Sequence, residues 1–120
     1  MKERTLCNSD YRFLTLVWDH APLGSGELVR LCQEELGWKK STTYTEIKRL
    51  CEKGLLKNEK AIVEPLITRE EVQARESDFF VERTFGGSLP GFLTAFLGGK
   101  KLSAREAEEL KRLIDEYREE

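Results

Sequence analysis

The sequence predicts a mainly α fold interrupted by one small β element. Three observations predict it. Apolar residues recur at helical spacing in six separate stretches, each stretch is bounded by Gly, Pro or a residue able to cap a helix, and only the segment after Gly54 breaks the helical period.

A first helix is expected to begin near Asn8 or Ser9, either of which can cap. It presents Tyr11, Leu14, Leu16, Val17 and Trp18 before Asp19-His20-Ala21-Pro22 ends it. Ser25 is read as the cap of a second helix, where Leu28, Leu31, Cys32 and Leu36 fall at positions i, i+3, i+4 and i+8 and Gly37 is the stop. Trp38 follows as a core plug. Ser41 or Thr42 is expected to cap the third helix, which runs toward Gly54. Its Thr43, Ile47, Leu50 and Cys51 share one side, while Ser41, Tyr44, Thr45, Lys48 and Glu52 cluster on the other. The second face carries hydroxyls and a base, groups that donate to phosphates and base edges.

After Gly54, LLKNEKAIVEPLI reads as two short strands around Asn58 to Ala61, with Pro65 at the end of regular pairing or at an edge. Three helices followed by a two-stranded wing is the order of a winged helix-turn-helix, whose third helix enters the major groove of DNA. Thr68-Arg69-Glu70-Glu71 is a capping box opening a long helix toward Phe85, with Val72, Phe79, Phe80 and Val81 along it. Gly86-Gly87 end it. Ser88-Leu89-Pro90 opens a short apolar helix bearing Phe92, Leu93, Phe96 and Leu97, and Gly98-Gly99 close it. A last helix starts at Ser103-Ala104-Arg105-Glu106 and carries an apolar stripe of Leu110, Leu113, Ile114 and Tyr117. The expected organisation is therefore residues 1–67 as a winged-helix domain and residues 68–120 as a three-helix region.

Three amphipathic helices in about 50 residues bury too little surface to offset chain entropy alone. A second copy of the same helices is the economical partner, through a twofold interface. The plainer alternative folds them back on the winged helix within one chain. Phe79, Phe80, Phe92, Leu93, Phe96, Leu97, Leu110, Leu113, Ile114 and Tyr117 are the residues expected to bury surface between protomers.

Composition narrows the function further. With 120 residues, 39% of them hydrophobic, the chain has room for one standard domain, or a small domain with a helical appendage. No apolar run approaches the roughly 20 residues of a membrane helix. MKERTLCNSD has no stretch of signal-peptide type, so a cytoplasmic protein without membrane insertion is expected. The net charge of −2 is not that of a protein that coats nucleic acid, yet residues 39–60 hold seven basic residues against three acidic ones, a local +4. Lys39, Lys40 and Lys60 flank the third helix and the wing as candidate phosphate contacts.

Cys7, Cys32 and Cys51 are too far apart for a metal knuckle, and an odd count argues against a disulfide framework. Cys32 and Cys51 read as buried reduced thiols. His20 is the only histidine, which removes catalytic histidine pairs and multi-histidine metal sites. The acids lie mostly on helix faces opposite lysines, and Glu106, Glu108 and Glu109 read as a solvated face. No catalytic residue, metal or cofactor is expected. A winged helix used only for protein contacts is the competing class, but it would not need a basic third helix.

In order and spacing, several segments together resemble the penicillinase repressor family of bacterial transcription repressors. They are Val17-Trp18-Asp19, STTYTEIKRLCEKGLL, LITREE, FGGSLPGFLTAF and LSAREAEELKRLI. The resemblance implies a homodimer with an N-terminal winged helix and a C-terminal three-helix dimerisation region, bound to a palindromic operator and blocking transcription until an inducing signal releases it. It carries operator contacts over to Ser41, Thr42, Tyr44, Thr45 and Lys48, and wing contacts with the backbone to Lys57, Asn58 and Lys60. It also implies a partner, a membrane sensor protease cutting an Asn-Phe bond. The matching bond here is Ala95-Phe96, changed on its first side. A copper-responsive branch carries paired C-terminal cysteines, and this chain has none after Cys51.

Overall fold

Helical periodicity and loop punctuation translate directly into six helices in the computed structural model, which describes residues 6–119. Residues 1–5, part of the N-terminal stretch read above, and residue 120 lie outside the described residues. Helices α1 (Asn8–His20), α2 (Ser25–Leu36) and α3 (Lys40–Glu52) come first, with the two-residue strand β1 (Leu23–Gly24) between α1 and α2. Strands β2 (Leu56–Glu59) and β3 (Ile62–Pro65) follow, then α4 (Arg69–Phe85), α5 (Leu89–Leu97) and α6 (Ala104–Tyr117).

The first three helices close a core around Phe13, Leu14, Val17, Leu28, Cys32, Ile47 and Leu50, to which the wing adds Leu56 and Val63. Phe13 was absent from the stripe expected on α1, and it is fully buried. Trp38 stacks on its ring, centroids 5.7 Å apart and planes 10° from parallel, and so acts as the expected plug. Gly37 ends α2 at φ 71°, a left-handed conformation that costs a side chain about 1 kcal/mol and that glycine adopts freely.

Three expected caps are corrected by one residue or more. Cys7, not Asn8 or Ser9, precedes α1, and the Asp10 carboxylate accepts its N–H at 3.1 Å. Gly24 precedes α2, so Ser25 is already helical and buried. Lys39 precedes α3, which places Ser41 and Thr42 inside the first turn. The reason is shared: each chain turns into its helix where tertiary packing or strand pairing fixes the backbone, and a nearby hydroxyl does not decide the start. Thr68, Ser88 and Ser103 do cap as their sequences indicate, the Thr68 box being reciprocal with Glu71.

The sheet has three strands rather than two, in the order β1-β3-β2, all antiparallel. Strand β1 pairs Leu23 with Val63 and Gly24 with Ile62. Pro65 sits beyond that pairing and faces only Leu56 of β2, so its missing N–H is tolerated. Asn58 and Glu59 belong to β2, leaving a two-residue turn at Lys60 and Ala61 with φ of 53° and 63°. Both central residues left-handed is the turn that matches strand twist, and it favours Asn-Gly over Lys-Ala. Ala61→Gly is therefore expected to raise stability by about 0.5–1 kcal/mol, read as a higher urea midpoint at unchanged m-value.

The chain divides into two compact units, one reaching to Phe80 and one from Val81 onward. In the first unit the early turns of α4 lie against α1. Val72 is buried, the Trp18 indole N–H donates to the Ile67 carbonyl at 2.9 Å, and Arg69 pairs with Asp19 at 2.6 Å while stacking 5.3 Å over the Trp18 ring. In the second unit Phe85, Phe92 and Phe96 form a chain of ring contacts 5.6 and 5.8 Å apart. No residue of α5 or α6 is buried.

Candidate nucleic-acid interface

Helix α3 is built to face two ways. Thr43, Ile47 and Leu50 are buried and Cys51 half-buried, which fixes the helix rotation and turns Ser41, Thr42, Tyr44, Thr45 and Lys48 to solvent. Tyr44 remains 38% exposed beside the buried Thr43, so its ring and hydroxyl are open to a ligand. The start of α3 also differs from α4, α5 and α6. Its N-cap Lys39 has no side-chain acceptor and makes no cap hydrogen bond, so the N-cap leaves the first-turn N–H groups beside Lys39 and Lys40 uncapped. Such an end suits an anion through its free donors and the positive end of the helix dipole.

The wing continues from α3 through Leu55 and β2, and α3 packs on β2. Lys57, Asn58 and Lys60 are all exposed. Lys57 shares its charge with Glu59 at 3.7 Å, a surface pair worth little that a phosphate can displace. Burial of Glu46 together with the turn of Arg49 toward it leaves the outward charge unchanged. Between residues 39 and 60 six exposed lysines oppose exposed Glu52 and Glu59, still a local +4.

A feature that sequence reasoning passed over lies beneath this face. Glu46, one of the three acids in the charge count for residues 39–60, is buried, and Arg49 pairs with both its carboxylate and that of Asp10 on α1. The available signal was positional: Glu46 stands three residues after Thr43 and four before Leu50, on the edge of the apolar stripe. Burial raises the Cys32 and Cys51 thiols above their ordinary range, so both stay protonated near neutrality. Cys7 is exposed, and all three cysteines are free.

The residues expected at a dimer interface are distributed over α4, α5 and α6. Phe79, Phe92, Leu93, Leu97 and Leu110 are half-buried within the protomer, while Phe80, Phe96, Leu113, Ile114 and Tyr117 are exposed, Tyr117 to 81%.

A family model described as penicillinase repressor matches residues 6–116. The chain belongs to the penicillinase repressor family. Among relatives, the penicillinase repressor of Bacillus licheniformis is 23% identical over 117 residues, covering 94% of this chain and 91% of the relative. An uncharacterised 16.5 kDa protein of Latilactobacillus sakei is 37% identical over 62 residues, 50% of this chain and 42% of that protein. Among solved structures, the solution structure of the DNA-binding domain of the repressor BlaI superposes with a TM-score of 0.52 at 21% identity, covering 59% of this chain and 93% of that domain. That likeness shows the winged-helix fold. As a member of the penicillinase repressor family the protein is a DNA-binding transcriptional repressor, a regulator rather than an enzyme. No helix among the described residues is long and apolar enough to cross a membrane.

Proposed function

We propose that this penicillinase repressor family member acts in the cytoplasm as a homodimer on a palindromic operator, read by α3 and steadied by the wing. Residues 1–67 would supply the winged helix and residues 68–120 the dimerisation region. The observation that carries the reading is the solvent face of α3: Ser41, Thr42, Tyr44, Thr45 and Lys48 stand exposed on a helix whose other side is locked in the core and whose first turn has no side-chain cap. Thr42, Tyr44 and Thr45 meet base edges and thymine methyls, and Lys39, Lys40 and Lys60 meet phosphates. Lys57 and Asn58 complete the wing contact.

Two such helices related by a twofold axis enter successive major grooves about one turn apart, roughly 34 Å. Selection of bound fragments from a random duplex pool tests this, with an inverted repeat as the expected product. Recovery of single half-sites bound as tightly as the repeat would count against the dimer. Lys40→Ala and Lys60→Ala should each weaken operator and random DNA alike and reduce the salt slope by up to about one unit per contact.

Release from the operator follows an inducing signal. For a sensor protease cutting at Ala95-Phe96, the bond lies inside α5, so that helix must unwind locally before an extended-chain protease can take it. Incubation with a membrane fraction from induced cells, followed by mass spectrometry of the fragments, tests the position.

A further inference from the structure

The charged cluster under α3 takes no part in the contacts just described. Asp10 on α1 is 3% exposed and Glu46 on α3 is 9% exposed. Arg49 holds Glu46 through Nη2 and Nε at 3.1 and 3.2 Å, and its Nη2 also pairs with Asp10. Asp10 further accepts the Cys7 N–H. Two carboxylates therefore face one guanidinium. With both ionised, two nearly buried carboxylates share one half-exposed cation, an unfavourable arrangement that a single proton relieves.

Among the described residues, the other groups facing the pair do not supply a second cation. From the start of α1 comes the Cys7 thiol, which also lies near Arg49. From α2 comes the buried Cys32 thiol, whose ionisation the Glu46 charge opposes. On β2, Lys57 and Glu59 pair with each other. Burial, reinforced by the hydrogen bond and charge of Asp10, pushes Glu46 up to about 7 against the pull of Arg49. Burial also works to raise Asp10, but the hydrogen bonds from Glu46 and Cys7, with Arg49, hold it below its ordinary range. The proton accordingly resides on Glu46.

We propose that Asp10, Glu46 and Arg49 form a proton-dependent latch that positions α3 against α1, closed while one of the two carboxylates on the shared guanidinium holds a proton and loosened when it leaves. These are positioning residues; none belongs to the exposed reading face. The latch would hold α3 in place whatever it binds, and only its effect on operator affinity rests on α3 being the reading helix. Because the folded value of Glu46 lies above its ordinary 4.5, the contribution of the latch is full below that pH and is lost as pH rises through about 7. Asp10 acts oppositely and only in acid, since its folded value lies below 3.8.

The test compares the full-length protein with Glu46→Gln, which keeps a hydrogen-bonding side chain and removes the titration. Between pH 5.5 and 8 the wild-type melting temperature should fall by about 5–10 °C while that of Glu46→Gln stays level, the two coinciding at the acid end. Carbon-detected NMR titration of the wild-type carboxyls should show Glu46 with a midpoint near 7. Equal pH slopes in the two proteins, or a Glu46 midpoint near 4.5, would overturn the latch. If Glu46→Gln fails to fold, the NMR midpoint alone decides. Operator affinity of the wild type should drop about threefold to tenfold more than that of the variant over the same range, as a DNA-favoured proton uptake requires. A wild type that binds no DNA at any pH would sink the operator reading, and the melting and NMR results would still decide the latch.

Discussion

Tyr44→Ala is expected to weaken operator binding by about 1–3 kcal/mol, roughly 5-fold to 150-fold, while binding to random DNA changes little. The expectation follows from where the ring is held. Thr43 and Ile47 anchor α3 in the core, so the adjacent Tyr44 is presented at a fixed angle instead of on a loose surface. An aromatic ring or hydroxyl so presented distinguishes base edges and thymine methyls, and its loss is felt only where the sequence fits. Thr45→Val, which keeps the shape and removes the donor, should show a smaller loss with the same selectivity. Lys40→Ala supplies the contrast, since an ammonium on a flexible stem reports mainly the phosphate charge. Isotherms on operator and random duplex at several salt concentrations separate the two patterns. If Tyr44→Ala loses affinity equally on both duplexes, α3 positions the protein without reading it.

The division of α3 into a core face and an exposed face was legible in the sequence because one period controls both. The starts of α4, α5 and α6 were legible too, because their capping residues make the hydrogen bonds their spacing implies. Strand β1 was not legible: two residues, Leu23 and Gly24, become a strand only because β3 returns to pair with them. A strand so short carries no alternation to read. The caps of α1, α2 and α3 failed for the related reason that packing and pairing outrank a local hydroxyl preference. The buried Asp10, Glu46 and Arg49 cluster depends on a contact between residues far apart in sequence, and charge patterning within one helix sees only the Glu46–Arg49 half of it. Glu46 on the edge of an apolar stripe was a cue that a partner waits across the interface.

The largest effect is expected from the last helix. A double substitution, Leu113→Asp with Ile114→Asp, should abolish the proposed dimer and lower operator affinity by about 10²–10⁴, because two linked half-sites become two independent ones. Leu110, Leu113, Ile114 and Tyr117 occupy one face of α6, yet α6 has no buried residue, and Leu113 and Ile114 are 49% and 58% exposed. Within one protomer the new carboxylates would therefore remain in water, and the helix should keep its circular dichroism signal. Across the proposed twofold interface the same four carboxylates would lose water against an apolar stripe, which a contact of a few helical turns cannot absorb. A solvent effect common to any added charge is controlled by Lys111→Glu, since Lys111 pairs with Glu108 away from the apolar stripe. Sedimentation velocity at micromolar concentration reads the assembly, and titration of a palindromic duplex reads its consequence. A dimer that survives both aspartates would place the interface on α4 or α5, at Phe80 or Phe96, and leave the stripe of α6 to another partner.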